Sequence, residues 1–442
     1  MPLAQAADPA PAFAGKDGWL FYRFEISNAS DAPDADKSVD LIHRFNRVLT
    51  QNGVTVAFTM VPIKARLYAE FLPPEQKLTP YMQENYDRLL KSLRSAGVET
   101  IDLNSALMNS PLRTGDTPLY IRLDTHWSPA GALLAAETIR AGIDTTPALK
   151  KALDAVPQEK FTLKLDPRKV VSVSRDLVGQ LPPGSAPIPP ERITYHSVAK
   201  VKADGASLLG DGADPAITLV GSSYSRPWTR FPESLRYTLQ RDILAVAFGA
   251  DRGSWVGMES YLMDDAFQTA RPKLLIWEMP ERDLRAPPDN RYREARYQGD
   301  NTEWLLRASA WVQRSCAPSS VGTSILAGGL NPTQGSAVKV GATSEKDFIE
   351  VSFDKPIDKL DYLSANILTT GSKSVVLEAS GPGEKTRKFT MVAAGDGAMH
   401  VFRSPLPGAG AGFTSVKIYP GKNSAFEFKD VKVCRQPEDL LK

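Results

Sequence analysis

Ala216-Ile-Thr-Leu-Val-Gly221-Ser222-Ser223-Tyr224-Ser225 passes from a β-prone apolar run into glycine and then into hydroxyls. The apolar run reads as a buried strand. Glycine permits a sharp exit from it, and a serine two residues later can stand proud of a sheet with its own N–H turned toward a developing oxyanion. By itself such a serine-rich turn is also a common structural device.

Around that stretch, other short β-prone runs alternate with amphipathic helical patterns. Strands are predicted at 54–62, 98–103, 216–221, 242–248 and 272–279. Helices are predicted near 37–52, 83–96, 129–142, 232–241 and 257–270. Such alternation builds an α/β fold, a mostly parallel sheet with helices on both faces. Residues 156–215 break the rhythm with proline-rich pieces such as Leu181-Pro182-Pro183-Gly184, and read as an insertion over the sheet. Beyond about 315 the helical periodicity ends. Short strands at 348–353, 374–377, 388–392, 400–403, 415–419 and 426–433, separated by Gly/Pro/Ser/Asp turns, predict an all-β sandwich. Two domains result, 13–300 and 315–436, which suits a chain of 442 residues at roughly 150 residues per domain.

Composition excludes several classes. With 42% hydrophobic and 24% charged residues the chain is of globular type. Fifty-three basic against fifty-one acidic residues leave a net charge of +2, so nothing announces a nucleic-acid binder, and any grip on a polyanion must be a local groove. No run of apolar residues is long enough to span a membrane. Gly381-Pro-Gly-Glu-Lys-Thr lacks the spacing of a phosphate loop and no GxGxxG follows a strand, so no nucleotide chemistry is expected. Ala4-Gln5-Ala6 has the small-x-small form that precedes a signal-peptidase cut, which points to a leader missing from this numbering, with a short disordered cytosolic N-terminus as the alternative. The two cysteines, Cys316 and Cys434, bracket the predicted sandwich. A bridge there would clasp it shut and imply an oxidising compartment, and two unpaired thiols are the alternative.

Histidine is scarce. Of His43, His126, His196 and His400, no pair has metal-ligand spacing and neither cysteine is near one, so no metal is expected. His126 stands in Tyr120-Ile-Arg-Leu-Asp124-Thr-His126-Trp127-Ser128-Pro129. A strand is predicted to end at Asp124, and Ser128-Pro129 is a good helix start, serine as N-cap and proline at the first position. Asp124 and His126 would then share a loop at the edge where open α/β sheets bind ligands. Two residues apart, the carboxylate can hold one imidazole nitrogen and leave the other for a nucleophile. The plainer reading makes Asp124 a turn cap and packs His126 on Trp127. Paired with Ser223 the motif gains weight, because a serine hydroxyl needs such a base at neutral pH.

Asp124-Thr-His126-Trp127 followed by Gly221-Ser-Ser223-Tyr224-Ser225 resembles the AlgX/AlgJ group of bacterial exopolysaccharide O-acetyltransferases, which are SGNH-hydrolase-like. Gly15-Lys-Asp-Gly-Trp19-Leu-Phe-Tyr and Leu274-Leu-Ile-Trp277-Glu-Met-Pro-Glu-Arg282 are similar to further blocks of the group. A β-sandwich after the catalytic domain resembles the AlgX type, and the acid and histidine precede the serine as in that group. The additional cysteine pair common in the first domain of AlgX-like proteins is missing.

This resemblance implies Ser223 as nucleophile, His126 as general base and Asp124 as its orienting carboxylate. Tyr224, Trp127 and Arg282 become candidates for the oxyanion hole or substrate contact. It implies a periplasmic enzyme without a cofactor, acetylating an anionic polysaccharide, alginate first. The acetyl donor would come from a membrane O-acyltransferase or a periplasmic carrier, and other exopolysaccharide secretion proteins would be partners. The sandwich becomes a carbohydrate-binding module, with Tyr362, Lys388, Arg403 and Tyr419 as candidate contacts. Two alternatives stay open: an acetylesterase using the same triad, and a non-catalytic glycan-binding scaffold.

Overall fold

The computed structural model describes residues 9–441 except 202–214, 250–252, 291–298, 334–336, 383–385 and 407–411. Ala4-Gln5-Ala6 lies outside the described residues. These fall into two compact units, one from segments Met1–His43, Val54–Gly257 and Pro272–Tyr297, the other from Arg44–Gly53, Met258–Arg271 and Gln298–Lys442.

The first unit is built on a five-stranded parallel sheet. Its strands are β1 (Thr55–Val61), β2 (Thr100–Ile101), β3 (Ile217–Gly221), β4 (Leu244–Ala247) and β5 (Leu274–Pro280), in the spatial order β4-β3-β5-β1-β2. Each lies within a predicted strand, or one residue beyond it in β5. β3 and β5 are buried along their whole length, as their near-continuous apolar runs require of central parallel strands. Helices α1 (Pro80–Ser95), α2 (Pro129–Thr145) and α3 (Phe231–Leu239) connect strands. Ala132, Ala135 and Ile139 of α2 and Leu235 and Leu239 of α3 share one core with Ile217, Leu219 and Ile276 of the sheet. The other predicted helices are found at Ala32–Gln51, and at Ser254–Met263 and Asp265–Thr269, where Asp264 caps a second start by accepting from Ala266 N at 3.0 Å.

The strand predicted to end at Asp124 is not present. Residues 121–127 instead form a tight turn, closed by a lone bridge between Tyr120 and Trp127 and by Ile121 N donating to His126 O at 3.1 Å. Apart from the exposed Arg122, its residues are buried by packing, not by a place in the sheet. The helix start that follows is as predicted: Ser128 Oγ accepts from Gly131 N at 3.3 Å and Pro129 occupies the first turn of α2. Gly131 has its own reason, since a Cβ there would lie 2.0 Å from Leu119 O. The described part of the insertion holds two antiparallel pairs, Phe161–Leu165 with His196–Lys200 and Val170–Val171 with Arg192–Ile193.

The second unit is a sandwich of two antiparallel sheets. Its strands are β6 (Thr323–Leu326), β7 (Val338–Val340), β8 (Ile349–Phe353), β9 (Asp361–Thr370), β10 (Ser374–Ser380), β11 (Thr386–Val392), β12 (Asp396–Pro405), β13 (Ser415–Tyr419) and β14 (Phe426–Arg435). One sheet runs β6-β8-β13-β10-β11 and the other β7-β14-β9-β12. Alternation along β8 and β13 turns Ile349, Val351, Val416 and Ile418 into a core shared with Ile367, Phe402 and Phe428. Cys316 and Cys434 are bridged across a separation of 118 residues. This unit also contains α4 (Asn301–Val312). No helix among the described residues is long and apolar enough to cross a membrane.

Candidate active site

β3 ends at Gly221, and the chain turns at once into a 3₁₀ turn, Ser223–Ser225. A Cβ on Gly221 would lie 2.1 Å from Ser225 Oγ and 2.5 Å from Glu278 Oε2, so only glycine fits. The turn is knotted to neighbouring β5 through Glu278. Its carboxyl accepts from Ser222 N at 2.8 Å, from Ser222 Oγ at 2.9 Å and from Ser225 Oγ at 2.8 Å. Burial pushes the Glu278 carboxyl up to about 7, against the lowering effect of those donors. With Ser222 and Ser225 tied down beneath it, Ser223 is the serine left to face outward.

The turn 121–127 brings His126 to it. Ser223 Oγ lies 2.7 Å from His126 Nε2, and His126 Nδ1 lies 2.5 Å from Asp124 Oδ1, which also accepts from His126 N at 2.9 Å. The imidazole is wedged between the rings of Tyr224 and Trp228, at 4.8 and 4.9 Å. Asp124 is fully buried. Burial works against its charge, but the hydrogen bond and charge of His126, with donation from Ser174 Oγ and Asp176 N, hold the carboxyl well below the usual carboxylate range. An ionised Asp124 fixes the tautomer that leaves Nε2 to accept a proton from Ser223.

A buried charged frame holds the turn in place. Lys64 Nζ donates to the carbonyls of Ile121, Arg122 and Asp124 at 2.8, 2.9 and 2.8 Å, and burial lowers this amine to about 8. Beside it, Arg66 forms a two-pronged pair with Glu281 at 2.9 and 2.5 Å. Glu25 accepts from Ala65 N at 3.0 Å and lies 3.4 Å from Arg282 Nη1. Lys64, Glu25, Glu278 and the Ser174/Asp176 pair were not singled out from sequence. Glu278 alone left a local signal, a carboxylate in the middle of a buried apolar strand.

Ser223 opens into a cleft of about 670 Å³. Arg23, Arg282 and Arg285 line it together with the rings of Tyr22, Phe24 and Trp255. Arg282 is stacked between Tyr22 and Tyr224, 5.3 and 5.5 Å from the ring centres, and donates to Tyr224 Oη at 3.2 Å. Burial opposes its charge, but Tyr224, Asp283 and Glu25 keep it protonated.

The other two first-unit candidates are placed differently. Trp127 is fully buried behind the turn and donates from Nε1 to Tyr224 O at 3.1 Å; Tyr224 is equally buried and donates its hydroxyl to Thr125 O at 2.6 Å. They brace the elbow against the histidine turn and offer no surface to a substrate. Tyr362 is corrected likewise: it is buried beside the Cys316–Cys434 bridge, with its hydroxyl on Ser315 O at 3.3 Å, and cannot stack on a sugar. Arg403 and Tyr362 belong to β12 and β9 of one sheet, Lys388 and Tyr419 to β11 and β13 of the other, so the four do not form one groove. Ligand-type atoms of Asp124, His126 and Asp176 converge within 4.8 Å, and the hydrogen bonds among them and to Thr125 account for the convergence.

A parallel α/β sheet bearing a serine on a glycine-relieved elbow, with an Asp-x-His turn beside it, defines an SGNH-hydrolase-like protein. The family model described as "SGNH hydrolase-like domain, acetyltransferase AlgX" matches residues 12–281, and the chain belongs to this family of O-acetyltransferases. It is 31% identical over 283 residues to the probable alginate O-acetylase AlgJ of Pseudomonas aeruginosa, covering 61% of this chain and 69% of that protein. Among solved structures it is similar to the O-acetyltransferase domain of Pseudomonas putida AlgJ, with a TM-score of 0.53, 25% identity and coverage of 62% and 92%. It shares its fold with Pseudomonas aeruginosa AlgX, with a TM-score of 0.62, 18% identity and coverage of 96% and 94%.

Proposed function

We propose that this chain transfers acetyl groups onto hydroxyls of a secreted anionic polysaccharide, alginate or a similar polyuronate, through an acetyl-serine intermediate. The observation that carries this reading is the relay Ser223 Oγ–His126 Nε2, His126 Nδ1–Asp124 at 2.7 and 2.5 Å, opening on an arginine- and aromatic-lined cleft.

In the first half-reaction His126 takes the hydroxyl proton as Ser223 Oγ attacks the donor's acetyl carbonyl, and the imidazolium returns that proton to the leaving group. In the second, a sugar hydroxyl gives its proton to His126 and attacks acetyl-Ser223, whose Oγ leaves and is reprotonated. Asp124 stabilises the imidazolium in both steps. The Ser223 N–H supplies one oxyanion donor, and losing such a donor costs about 3 kcal/mol of transition-state stabilisation. The family names and the charge of the cleft support an alginate-like acceptor: carboxylates of a polyuronate complement Arg23 and Arg282.

Residues 13–300 would carry the chemistry and 315–436 hold polymer. In the second unit a cleft of about 610 Å³ lined by Arg314, Arg403 and Lys432 suits polymer holding better than the buried Tyr362. The disulfide supports a periplasmic site of action. The donor would be a membrane O-acyltransferase or a carrier it loads, within an exopolysaccharide secretion assembly.

The test is an assay with a small acetyl ester and an oligouronate acceptor, read by mass spectrometry. Acetylated oligosaccharide is expected from the wild type and none from Ser223→Ala. Release of acetate alone under saturating acceptor would make the protein an esterase.

A further inference from the structure

The relay is completed by the insertion. Both oxygens of Asp124 are engaged: Oδ1 by His126, and Oδ2 by Ser174 Oγ and by Asp176 N at 2.9 Å. Asp176 also caps the turn from the other side. Its Oδ1 accepts from Thr125 N at 2.8 Å and its Oδ2 from Thr125 Oγ1 at 2.6 Å. The same Oδ2 lies 3.9 Å from His126 Nδ1, and Thr125 Oγ1 lies 3.1 Å from that nitrogen. A second carboxylate therefore faces the imidazole from outside the Asp-x-His turn, on a segment that contributes nothing to the central sheet.

We propose that Asp176 is a positioning residue of the acetyl transfer, acting on His126 by its charge and by fixing Thr125, and that Ser174 sets the basicity of Asp124. The inference rests on the serine mechanism proposed above. It also gives the insertion a role in the chemistry, since residues 172–176 then support the histidine that activates Ser223.

The consequence is a readable pH effect. Burial and the neighbouring Asp124 raise the Asp176 carboxyl while His126 and the Thr125 donors favour its charge, and as an anion 3.9 Å from Nδ1 it favours imidazolium. The other groups facing His126 are Asp124 on its own turn and Ser223 and Tyr224 on the elbow, with Arg282, Glu25 and Lys64 behind them. All of these remain in Asp176→Asn, whose single amide oxygen keeps one of the two bonds accepted from Thr125. With one negative charge lost, imidazolium is less favoured and the acid limb of the pH profile moves down. Ser174→Ala acts in the opposite sense, because an Asp124 with one donor fewer leans harder on the imidazolium.

The experiment measures kcat, KM and the pH profile of kcat/KM for acetyl transfer from a small ester by the full chain, in the wild type, Asp176→Asn, Ser174→Ala and Ser223→Ala. Asp176→Asn is expected to lose about tenfold to a hundredfold in kcat with KM nearly unchanged, and its acid limb to move down by about half a pH unit or more. Ser174→Ala is expected to move the limb up. An Asp176→Asn enzyme with wild-type kcat and limb overturns the proposal, and so does one whose kcat falls while the limb stays put, since that marks a purely structural part. If Ser223→Ala keeps turning over, the serine mechanism fails as well; if it is inactive and the limb does not move, only this inference fails.

Discussion

Ser223 and His126 are 97 positions apart, yet each was legible because its setting is local. Gly221 two residues before Ser223, and Asp124 two before His126, are patterns within one turn. What supports them was not legible, because Glu278, Lys64, Ser174 and Asp176 act from other segments, across spans of 50 to 60 residues. Glu278 gives the sharpest residue-scale prediction. Its folded carboxyl sits near 7, above the ordinary value of 4.5, so the native state holds more protons than the unfolded one between those values. Stability from this group therefore declines as pH rises from 4.5 to 7. Glu278→Gln removes that decline: the wild type minus variant difference in melting temperature should fall steadily across the window, and a flat difference would contradict the assignment. Lys64→Met should lower kcat for a small acetyl ester by roughly a hundredfold through loss of the turn's three carbonyl anchors, with KM little changed, as steady-state kinetics would show.

Among the elements, the parallel strands were legible because β3 and β5 are nearly continuous apolar runs, interrupted by Thr218 and Glu278, and the sandwich strands because alternation marks β8 and β13. β9 was missed for a physical reason. It pairs on both sides, its first five positions are all buried, and Ser364, Ala365 and Asn366 interrupt the apolar pattern, so no period of two shows. α4 was missed as well, since Ser309 and Ala310 are buried beside Trp304, Leu305, Ala308 and Trp311, which leaves a broad face instead of a narrow stripe. The false strand before Asp124 came from Tyr120-Ile121-Arg122-Leu123, whose apolar residues are buried by the turn. At this scale the disulfide makes the prediction. It closes a separation of 118 residues, so reduction should destabilise the β unit by about 4–5 kcal/mol in the chain-entropy model. Thermal melts followed by near-ultraviolet dichroism with and without reductant measure this, and an unchanged transition would deny the clasp any weight.

For the whole molecule, a net charge of +2 leaves no long-range attraction for a polyanion, so recognition has to be local. Under the proposed function the cleft at Ser223 supplies that locality, with Arg23 beside Arg282 and Arg285, which also pair with Glu25 and Asp31. Arg23→Ala should raise KM for an oligouronate acceptor several-fold while turnover of a small acetyl ester stays near wild type, since under the proposed function the arginine meets the polymer and not the acetyl group. Equal loss on both substrates would remove Arg23 from polymer recognition. Acetyl transfer through Ser223 is decided by quenching the enzyme with an acetyl donor in the absence and presence of an oligouronate and mapping acetyl groups on peptide and sugar by mass spectrometry. One acetyl group is expected on the peptide containing Ser223, discharged onto the oligosaccharide when acceptor is added. Acetylated sugar formed at the wild-type rate by Ser223→Ala would rule out the acetyl-serine route.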